Sequence, residues 1–334
     1  MDTDLTIEYG DRPTLRARAV RRLARATVRP TLDVAAALGL RAGPDVMARL
    51  PIQAVNRVAD RLAGAVLRPP RGTRVTPVHV GAVRGEWIEP PLHAPERAVL
   101  YFHGGGLMFC GPGTHRRMIG RVAAAARANA LHVDYRMAPR HTLSDALTDA
   151  VDGYRNLLSR GYSPDRIVLA GDSGGGLLAL AAVRALLDEG LPCPAAVLAM
   201  APQVDVHGEV RAGHPNTRRD AIIPAAGMTA IGAIIAHNNP ADVARAPLAV
   251  PVQDYPPVLI QASSAEVLLA DAHAMADRLR AANVPCTLQV WEGQVHVFQA
   301  VADLLPEARS ALARIGEFID SALADTGRAH QTSA

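Results

Sequence analysis

The segment Arg166–Leu187 reads R-I-V-L-A-G-D-S-G-G-G-L-L-A-L-A-A-V-R-A-L-L. Its first part, Ile167–Ala170, is continuously apolar, which is typical of a strand buried on both faces of a mostly parallel sheet. The part after the glycines is rich in alanine and leucine, which favours a helix. Between them, Gly171–Gly175 has the pattern G-x-S-x-G in the strand–turn–helix setting that presents a nucleophilic serine. The segment therefore predicts Ser173 as a nucleophile on a sharp turn.

The glycines around Ser173 have a steric reason. A serine on so tight a turn has a strained backbone, and side chains two residues away on either side would collide, so glycine is expected at positions 171 and 175. The start of the following helix would direct its free N–H groups and its positive dipole end at the reacting oxygen. Gly171, Asp172 and Gly175 are therefore interpreted as support for the nucleophile.

Two other interpretations of this motif fit its surroundings poorly. A phosphate-binding loop would have G-x-G-x-x-G or a lysine after the turn, and neither is present. The letters G-D-S-G-G also surround the nucleophile of chymotrypsin-like proteases, where the serine lies in a loop before another strand. Here a long helical pattern follows and the chain is not all-β, so the sequence favours neither interpretation.

Around this motif, the chain alternates short β-rich runs with helical patterns from about residue 73 onward. This alternation predicts a doubly wound, mostly parallel α/β sheet, whose first two runs could form an antiparallel edge. The eight β-rich runs are Thr73–Val80, Val83–Glu89, Arg97–His103, Ala130–Arg136, Arg166–Asp172, Ala195–Ala201, Pro257–Ser263 and Cys286–Glu292. The helical patterns lie near 115–129, 144–160, 174–188, 270–283 and 304–324.

Two segments lack this rhythm and are expected to form a helical cap over the carboxyl-terminal edge of the sheet, where such folds place their ligand site. The first is arginine-rich, and for its first 50 residues a solvated helical face or a basic arm stays open as an alternative. The expected division is 1–70 and 205–250 for the cap, 71–204 and 251–324 for the core, and 325–334 for a disordered tail.

Composition excludes several classes of protein. The chain has 334 residues, 49% apolar and 20% charged, which are values of a globular protein rather than a disordered or fibrous one. All 35 basic residues are arginine, so P-loop and Schiff-base lysine chemistry are excluded. The net charge of +3 equals the excess of nine arginines over six acidic residues in residues 1–50. Because the rest of the chain is neutral, no nucleic-acid partner is expected.

Cysteine usage and hydropathy indicate the compartment. Cys110, Cys193 and Cys286 are far apart and form no C-x-x-C pair, so neither a disulfide framework nor a zinc site is expected. No apolar stretch reaches the roughly 18 residues of a membrane span, and the first thirty residues lack the apolar region of a secretory signal. The sequence predicts a cytoplasmic protein without an integral membrane span.

A second glycine-rich motif, His103-Gly104-Gly105-Gly106, closes a β-rich run well upstream of Gly171. Three glycines allow the main chain to approach a substrate closely and to turn N–H groups toward developing negative charge. Together with the nucleophilic turn downstream, this motif predicts an oxyanion hole in which His103 and Gly104 support the loop.

These motifs together resemble the hormone-sensitive-lipase-like family of α/β-hydrolase esterases, also called bacterial family IV. The resemblance extends from about residue 97 to residue 300. It implies an α/β-hydrolase fold with a mostly parallel eight-stranded sheet, flanking helices and a helical cap. It also implies that the N–H groups of Gly105, Gly106 and Gly174 form the oxyanion hole. The matching segments are Tyr101–Gly106, Asp134–Pro139, Gly171–Gly175 and Gly293–Phe298.

The chain order in this fold is serine, then an acid, then histidine. His296 follows the last β-rich run in a Gly-x-x-His-x-Phe setting that matches the family. The family usually has Asp-Pro-Leu after the preceding strand, whereas this chain has Glu266-Val267-Leu268, which places Glu266 at the acid position, upstream of His296. A glutamate can hold the imidazole tautomer if the loop absorbs its extra methylene. Asp271 is the alternative acid.

These observations predict a serine hydrolase of small to medium carboxylic esters that works through an acyl-enzyme intermediate without a metal or organic cofactor. The type of bond stays open, because an amide, an N-acetyl group or a lactone would use the same triad. A non-catalytic ligand-binding protein on the same fold is a third hypothesis. A homodimer is compatible with the sequence, and the arginine-rich N-terminus is compatible with contact to anionic lipid or acidic substrates.

Overall fold

A computed structural model describes residues 5–331, with side chains through residue 324. One nine-stranded sheet runs through its centre. The strands are β1 (Leu5–Tyr9), β2 (Arg74–Val80), β3 (Val83–Glu89), β4 (Ala98–Phe102), β5 (Asn129–Val133), β6 (Ile167–Asp172), β7 (Ala196–Met200), β8 (Val258–Ser263) and β9 (Cys286–Trp291). The helices are α1 (Leu15–Arg49), α2 (Ile52–Val66), α3 (Pro112–Ala125), α4 (Leu143–Ser159), α5 (Gly174–Asp188), α6 (Ala225–Asn238), α7 (Leu269–Ala281) and α8 (Pro306–Gln331).

The sheet places β6, the strand before Ser173, near its middle. Its strand order is β1-β9-β8-β7-β6-β4-β5-β3-β2. Neighbours from β1 to β5 in this order pair in parallel, while β3 pairs antiparallel with both β5 and β2. The predicted mostly parallel α/β sheet is therefore confirmed, and the first two predicted runs form its antiparallel edge.

The sheet has one strand more than the eight that were predicted. All eight predicted runs form strands, and the ninth is β1, which pairs with β9 from Leu5 opposite Cys286 to Tyr9 opposite Val290. The expectation of a wholly helical segment 1–70 is wrong for the stretch that forms β1. A run this short becomes a strand only because the edge of β9, near the other end of the chain, supplies its hydrogen-bond partners.

Two apolar layers cover the two faces of the sheet. Every residue of β4 to β8 is buried, which explains why these runs read as continuously apolar in the sequence. Helices α4, α5 and α7 pack on one face, and α3 and α8 pack on the other. This three-layer arrangement buries β6 between two layers of helices, just before the turn at Ser173.

The remaining segments add a few residues to these two layers, among them Ala17 and Ala24 of α1 on one side and Ile235 of α6 on the other. In residues 205–250 the structure has α6 and short 3₁₀ helices at Glu209–Arg211, Pro215–Thr217 and Pro240–Arg245, and α6 packs against α1. The predicted disordered tail is helical as far as Gln331, where α8 ends, and positions 332–334 lie outside the described part. No helix in the described chain is long and apolar enough to cross a membrane.

Candidate active site

Ser173 lies between the end of β6 at Asp172 and the start of α5 at Gly174. Its backbone has φ 52° and ψ −120°, a conformation that glycine adopts far more readily than serine. Two backbone hydrogen bonds hold the turn: the Ser173 N–H donates to the Met200 carbonyl (2.8 Å), and the Gln203 N–H donates to the Ser173 carbonyl (3.1 Å). The strain expected at this turn is present, and the neighbouring chain stabilises it.

Glycine is required on both sides of this turn. A Cβ atom at position 171 would lie 2.1 Å from the carbonyl oxygen of Gly175, and a Cβ atom at position 175 would lie 2.1 Å from the carbonyl oxygen of Phe102. Neither oxygen can retreat without opening the turn or displacing the end of β4. Both contacts are between backbone segments, so any residue larger than glycine would disturb the position of Ser173.

The glycine loop after β4 meets the start of α5. Gly105 and Gly106 have φ of +104° and +63°, in the region that favours glycine. A Cβ atom on Gly174 would lie 2.9 Å from the amide nitrogen of Gly106, so the two main chains are in contact. In the described part of the chain, the amides of Gly105 and Gly106 donate no hydrogen bond to another residue. Unpaired amides beside a helix N-terminus are the donors that an oxyanion requires.

Glu266 and His296 form a buried pair. The Glu266 carboxylate lies 2.6 Å from His296 Nδ1, and its other oxygen accepts a hydrogen bond from the Ser263 N–H at 2.5 Å. Burial lowers the pKa of His296, but the hydrogen bond and the charge of Glu266 raise it by more, so the net shift is upward. Burial also raises the pKa of Glu266, partly opposed by His296. The contact leaves Nε2 of His296 as the nitrogen able to exchange a proton with another group.

These groups all lie at one edge of the sheet. The glycine loop follows β4, Ser173 follows β6, Glu266 follows β8 and His296 follows β9, and these strands run in parallel. The carboxyl ends of parallel strands share an edge, where α/β folds bind their ligands. The site therefore combines a strained serine, free amides on one side of it, and a carboxylate–histidine pair on the other. That combination is suited to nucleophilic acyl transfer.

Comparison with known proteins leads to the same chemistry. Residues 99–300 match the profile of a family described as α/β hydrolase fold. The chain belongs to the α/β-hydrolase fold family. Esterase LipU of Mycobacterium tuberculosis (strain ATCC 25618 / H37Rv) is 43% identical over 239 residues, which are 70% of this chain and 80% of that protein. Carboxylesterase/phospholipase LipF of the same strain is 36% identical over 329 residues, which are 94% of this chain and 84% of that protein.

A solved structure extends this similarity. The crystal structure of an esterase from the bacterial hormone-sensitive lipase family is 34% identical to this chain, with a TM-score of 0.77. The similarity covers 88% of this chain and 98% of that one. The resemblance to hormone-sensitive-lipase-like esterases is therefore confirmed.

In this α/β-hydrolase, the buried side chain of Asp172 holds the first glycine of the glycine loop. One of its carboxylate oxygens accepts hydrogen bonds from the Tyr101 hydroxyl (2.8 Å) and the Gly104 N–H (3.1 Å), and the other lies 3.2 Å from His115 Nε2. Burial raises the pKa of Asp172, but the charge and hydrogen bond of His115 outweigh it and the net shift is downward. An ionised Asp172 thus connects the turn before Ser173 to the start of the glycine loop.

His103 belongs to the same buried cluster but carries no charge. It is fully buried and stacks on Tyr135 with ring centroids 4.5 Å apart. Burial, aided by the charge of His115, lowers the pKa of His103 to about 4. His103 therefore supports the loop as a neutral aromatic ring. Tyr101 lies in a segment that matches the family, but the sequence did not predict its contact with Asp172, and His115 has no motif position that distinguishes it from a core residue.

Asp271, the alternative acid, has different partners. It lies on α7, and its carboxylate forms a buried ion pair with Arg211 at 2.6 Å. The same oxygen accepts hydrogen bonds from the N–H groups of Val204 (2.9 Å) and Asp205 (3.1 Å). Asp271 therefore connects the start of the 205–250 insertion to the core.

Two residues of the insertion hold the loop that carries Glu266. The Asn216 side-chain amide donates to the carbonyls of Ser264 (2.8 Å) and Glu266 (3.0 Å). The Asp220 carboxylate accepts the N–H of Val267 at 2.8 Å. Neither residue was predictable from the sequence, since their partners lie far away along the chain and no local pattern indicates the contact.

The described residues of this α/β-hydrolase contain no group of three His, Cys, Asp or Glu side chains placed to hold a metal ion. The three cysteines are free thiols. Cys110 lies next to the glycine loop, and burial, with a contribution from the charge of Asp172, raises its pKa to about 12. A thiol with so high a pKa is a poor nucleophile.

Proposed function

We propose that Ser173, Glu266 and His296 form a catalytic triad that hydrolyses small to medium carboxylic esters through an acyl-enzyme. Membership of the family, and relatives named esterase and carboxylesterase at 36–43% identity, make the chain an ester-hydrolysing enzyme. The residue roles and the steps below are our proposal. The observation that carries it is the 2.6 Å contact between Glu266 and His296 Nδ1, at the sheet edge that also holds Ser173.

The first half of the reaction forms the acyl-enzyme. His296 Nε2 accepts the proton of the Ser173 hydroxyl while the oxygen attacks the ester carbonyl carbon. Glu266 holds the imidazole in the required tautomer and stabilises the imidazolium that forms. The imidazolium then donates that proton to the leaving alkoxide, and the carbon–oxygen bond of the ester breaks. Water activated by the same histidine releases the acid and restores Ser173.

The negative oxygen of the tetrahedral intermediate is stabilised by the N–H groups of Gly105, Gly106 and Gly174. Support comes from the unpaired amides of the loop and from its backbone contact with Gly174. The donors are held in place before substrate arrives, because Asp172 holds the N–H of Gly104. Such preorganised donors stabilise charge without the cost of reorientation during the reaction.

Substitution of Gly106 by alanine is expected to lower kcat by about 10²- to 10³-fold, the usual effect of losing one oxyanion donor. A Cβ atom at this position would lie 2.7 Å from Cδ1 of Ile231, and φ is +63°, so the backbone is strained and either the loop or the Ile231 side chain must shift. Gly190→Ala is the matched control, because Gly190 has a similar φ of +68° with nothing within 4 Å of its Cβ position. The measurement is steady-state hydrolysis of a short p-nitrophenyl ester. Equal losses of kcat in both variants would refute the assignment.

The pH profile should show an acid limb above the ordinary histidine range. His296 accepts a proton only when it is neutral, and the net effect of its surroundings raises its pKa above 6.5. As the pH falls through this raised pKa, His296 becomes protonated and kcat/KM is expected to fall about tenfold per pH unit. The test is kcat/KM measured from about pH 5 to 9. A limb lying below 6.5 would contradict the proposed role of the pair.

The type of bond is tested by matched substrates. An ester, an amide and a lactone with the same acyl group are compared by kcat/KM, and the ester is expected to be hydrolysed fastest. A fluorophosphonate probe is expected to label Ser173, and Ser173→Ala should abolish labelling. Absence of labelling in the wild-type protein would favour a ligand-binding protein on the same fold.

We also propose that the helices of segment 1–70 and the insertion 205–250 form a cap over the site. Three arginines spaced four residues apart on α1 support this, since they donate hydrogen bonds to backbone carbonyls of the insertion. Arg21 contacts the carbonyl of Arg219, Arg25 those of Arg218 and Arg219, and Arg29 those of Asp220 and Ile223. Because Asp220 also holds the Glu266 loop, these arginines connect the N-terminal segment to the proposed acid.

Removal of this contact should loosen the insertion. The double variant Arg25→Gln/Arg29→Gln is expected to be cleaved about tenfold faster near residues 218–223 in limited proteolysis, since hydrogen bonds from charged groups are lost. Arg22→Gln, an exposed position on the same helix, is the control. If the double variant and the control are cleaved at the same rate, Arg25 and Arg29 do not hold the insertion.

The remaining expectations stay predictions. They are a cytoplasmic location, a homodimeric state and turnover without a metal or organic cofactor. Cell fractionation, light scattering and activity after dialysis against a chelator test them in turn.

A further inference from the structure

Helix α2 (Ile52–Val66) has an inverted polarity for a helix on the surface of a folded protein. Its two buried side chains are polar, since Gln53 and Asn56 are each only 9% exposed, whereas Ile52 at its start is a partly buried apolar side chain that packs inward. Its outward side chains are apolar and spaced i, i+3, i+7 and i+11, so they form one stripe along the helix. This apolar stripe consists of Val55 (65% exposed), Val58 (58%), Leu62 (67%) and Val66 (76%).

Polar contacts fix this orientation. Gln53 donates to the carbonyls of Met108 (3.1 Å) and Ala138 (2.5 Å). Asn56 forms a two-way pair with the backbone of Cys110, at 2.7 and 2.8 Å. The carboxylate of Asp60 accepts N–H groups at the N-terminus of α3, those of Gly113 (2.9 Å) and Thr114 (2.8 Å). Rotation of α2 to bury the stripe would break all of these hydrogen bonds. The polar contacts of the inner face therefore keep the stripe turned outward.

The exposed charged side chains of α2 are positive. Arg61 follows Val58 by three residues and so flanks the stripe, and Arg57 on the helix and Arg68 just beyond its end are also exposed. Asp60, the acidic residue of α2, binds the N-terminus of α3 instead. An apolar stripe flanked by arginines is the composition of a helix that lies in the interface of an anionic bilayer. Pairing with a second copy of the same face would bring these arginines close to those of the partner, which charge repulsion opposes.

We propose that the outer face of α2, formed by the apolar stripe and these three arginines, docks on the surface of an anionic lipid bilayer. The helix would lie in the headgroup region with the stripe turned toward the acyl chains. Its inner face contacts Met108 and Cys110, which follow the glycine loop directly, and Phe109 between them is 41% exposed. Docking would therefore place the glycine loop, and the turn at Ser173 beside it, on the side of the protein that faces the lipid surface.

The test is co-sedimentation of the full chain with vesicles of phosphatidylcholine alone or with about 30% phosphatidylglycerol. Binding is expected to the anionic vesicles only and to weaken at high salt. Val58→Glu/Leu62→Glu is expected to lower the partition coefficient at least about tenfold. Arg57→Gln/Arg61→Gln/Arg68→Gln is expected to lower it by about 10- to 100-fold. Tyr9→Glu, at an 80% exposed aromatic residue on the β1 edge, is the control expected to bind like the wild-type protein.

Each alternative outcome contradicts the proposal in a distinct way. Absence of binding, or equal binding to neutral vesicles, would overturn the anionic bilayer as the partner. A concentration-dependent dimer that Val58→Glu/Leu62→Glu dissociates would assign the face to a second copy. Thermal melting and hydrolysis of a soluble ester verify that each variant is folded. If the glutamate variant does not fold, the arginine variant decides the test, because it leaves the stripe unchanged.

Discussion

Replacement of Ser173 by glycine is expected to abolish ester hydrolysis and to make the protein more stable than the alanine variant. Both variants lack the nucleophile, and kcat is expected to fall by about 10⁵- to 10⁶-fold, to the level left by the oxyanion donors and substrate binding. The difference in stability has a separate cause. Position 173 has φ 52° and ψ −120°, which glycine adopts without strain and alanine does not.

The comparison of the two variants measures the strain at the turn. Ser173→Gly is expected to exceed Ser173→Ala by about 1 kcal/mol in the free energy of unfolding, or roughly 2 °C in melting temperature. Hydrolysis of a p-nitrophenyl ester and thermal melting are the two measurements. Appreciable activity in either variant would exclude Ser173 as the nucleophile. Equal melting temperatures would mean that the turn relaxes when the serine side chain is removed.

Substitution of Glu266 by glutamine is expected to lower kcat by about 10³- to 10⁴-fold and to move the acid limb of the pH profile to lower pH. The amide can still contact Nδ1 of His296, but it neither enforces the required tautomer nor stabilises the imidazolium. The charge of Glu266 and its charge-assisted hydrogen bond, which raise the pKa of His296, are lost, so the lowering effect of burial on that pKa dominates. The measurements are kcat and the pH dependence of kcat/KM.

Two further variants separate the role of Glu266 from a general effect on folding. Glu266→Asp keeps the charge but shortens the side chain by one methylene, and the resulting misplacement is expected to cost about 10²-fold in kcat. Asp271→Asn removes the buried partner of Arg211 and is expected to lower the free energy of unfolding by about 3 kcal/mol. Its acid limb should stay in place. If Asp271→Asn moved the limb and Glu266→Gln did not, Asp271 would be the acid.

Local sequence determined the turn at Ser173 and the strands around it. The turn requires glycine at 171 and 175 because a Cβ atom there would meet backbone oxygens, and this requirement is visible within the short motif Gly171–Gly175. The runs that form β2 to β9 were predictable. Strands such as β4, β6 and β8 are buried on both faces and must therefore be apolar throughout, which is visible as continuous apolar runs. The resemblance to a known family added the expected donors, acid and base.

Contacts between distant segments were not predictable in the same way. β1 is a strand only beside β9, the Asp172 cluster depends on Tyr101 and His115, and the Glu266 loop is held by residues of the insertion. Each of these interactions joins residues far apart in the chain and leaves no periodic pattern. The inverted polarity of α2 is of the same kind, since its composition alone does not show which face is turned inward.

The sequence by itself therefore determined the class of fold and the sharp turn that carries Ser173, the proposed nucleophile, because both depend on steric demands and burial within short segments. The resemblance to the family placed Glu266 at the acid position and left Asp271 as the alternative. Only the tertiary structure decided which of them contacts His296. Asp271 is turned to Arg211 by the packing of α7 against the insertion, while Glu266 is left facing the imidazole at 2.6 Å. The contact depends on how the loop after β8 packs against the loop after β9 at the edge of the sheet, and no local sequence pattern specifies that packing.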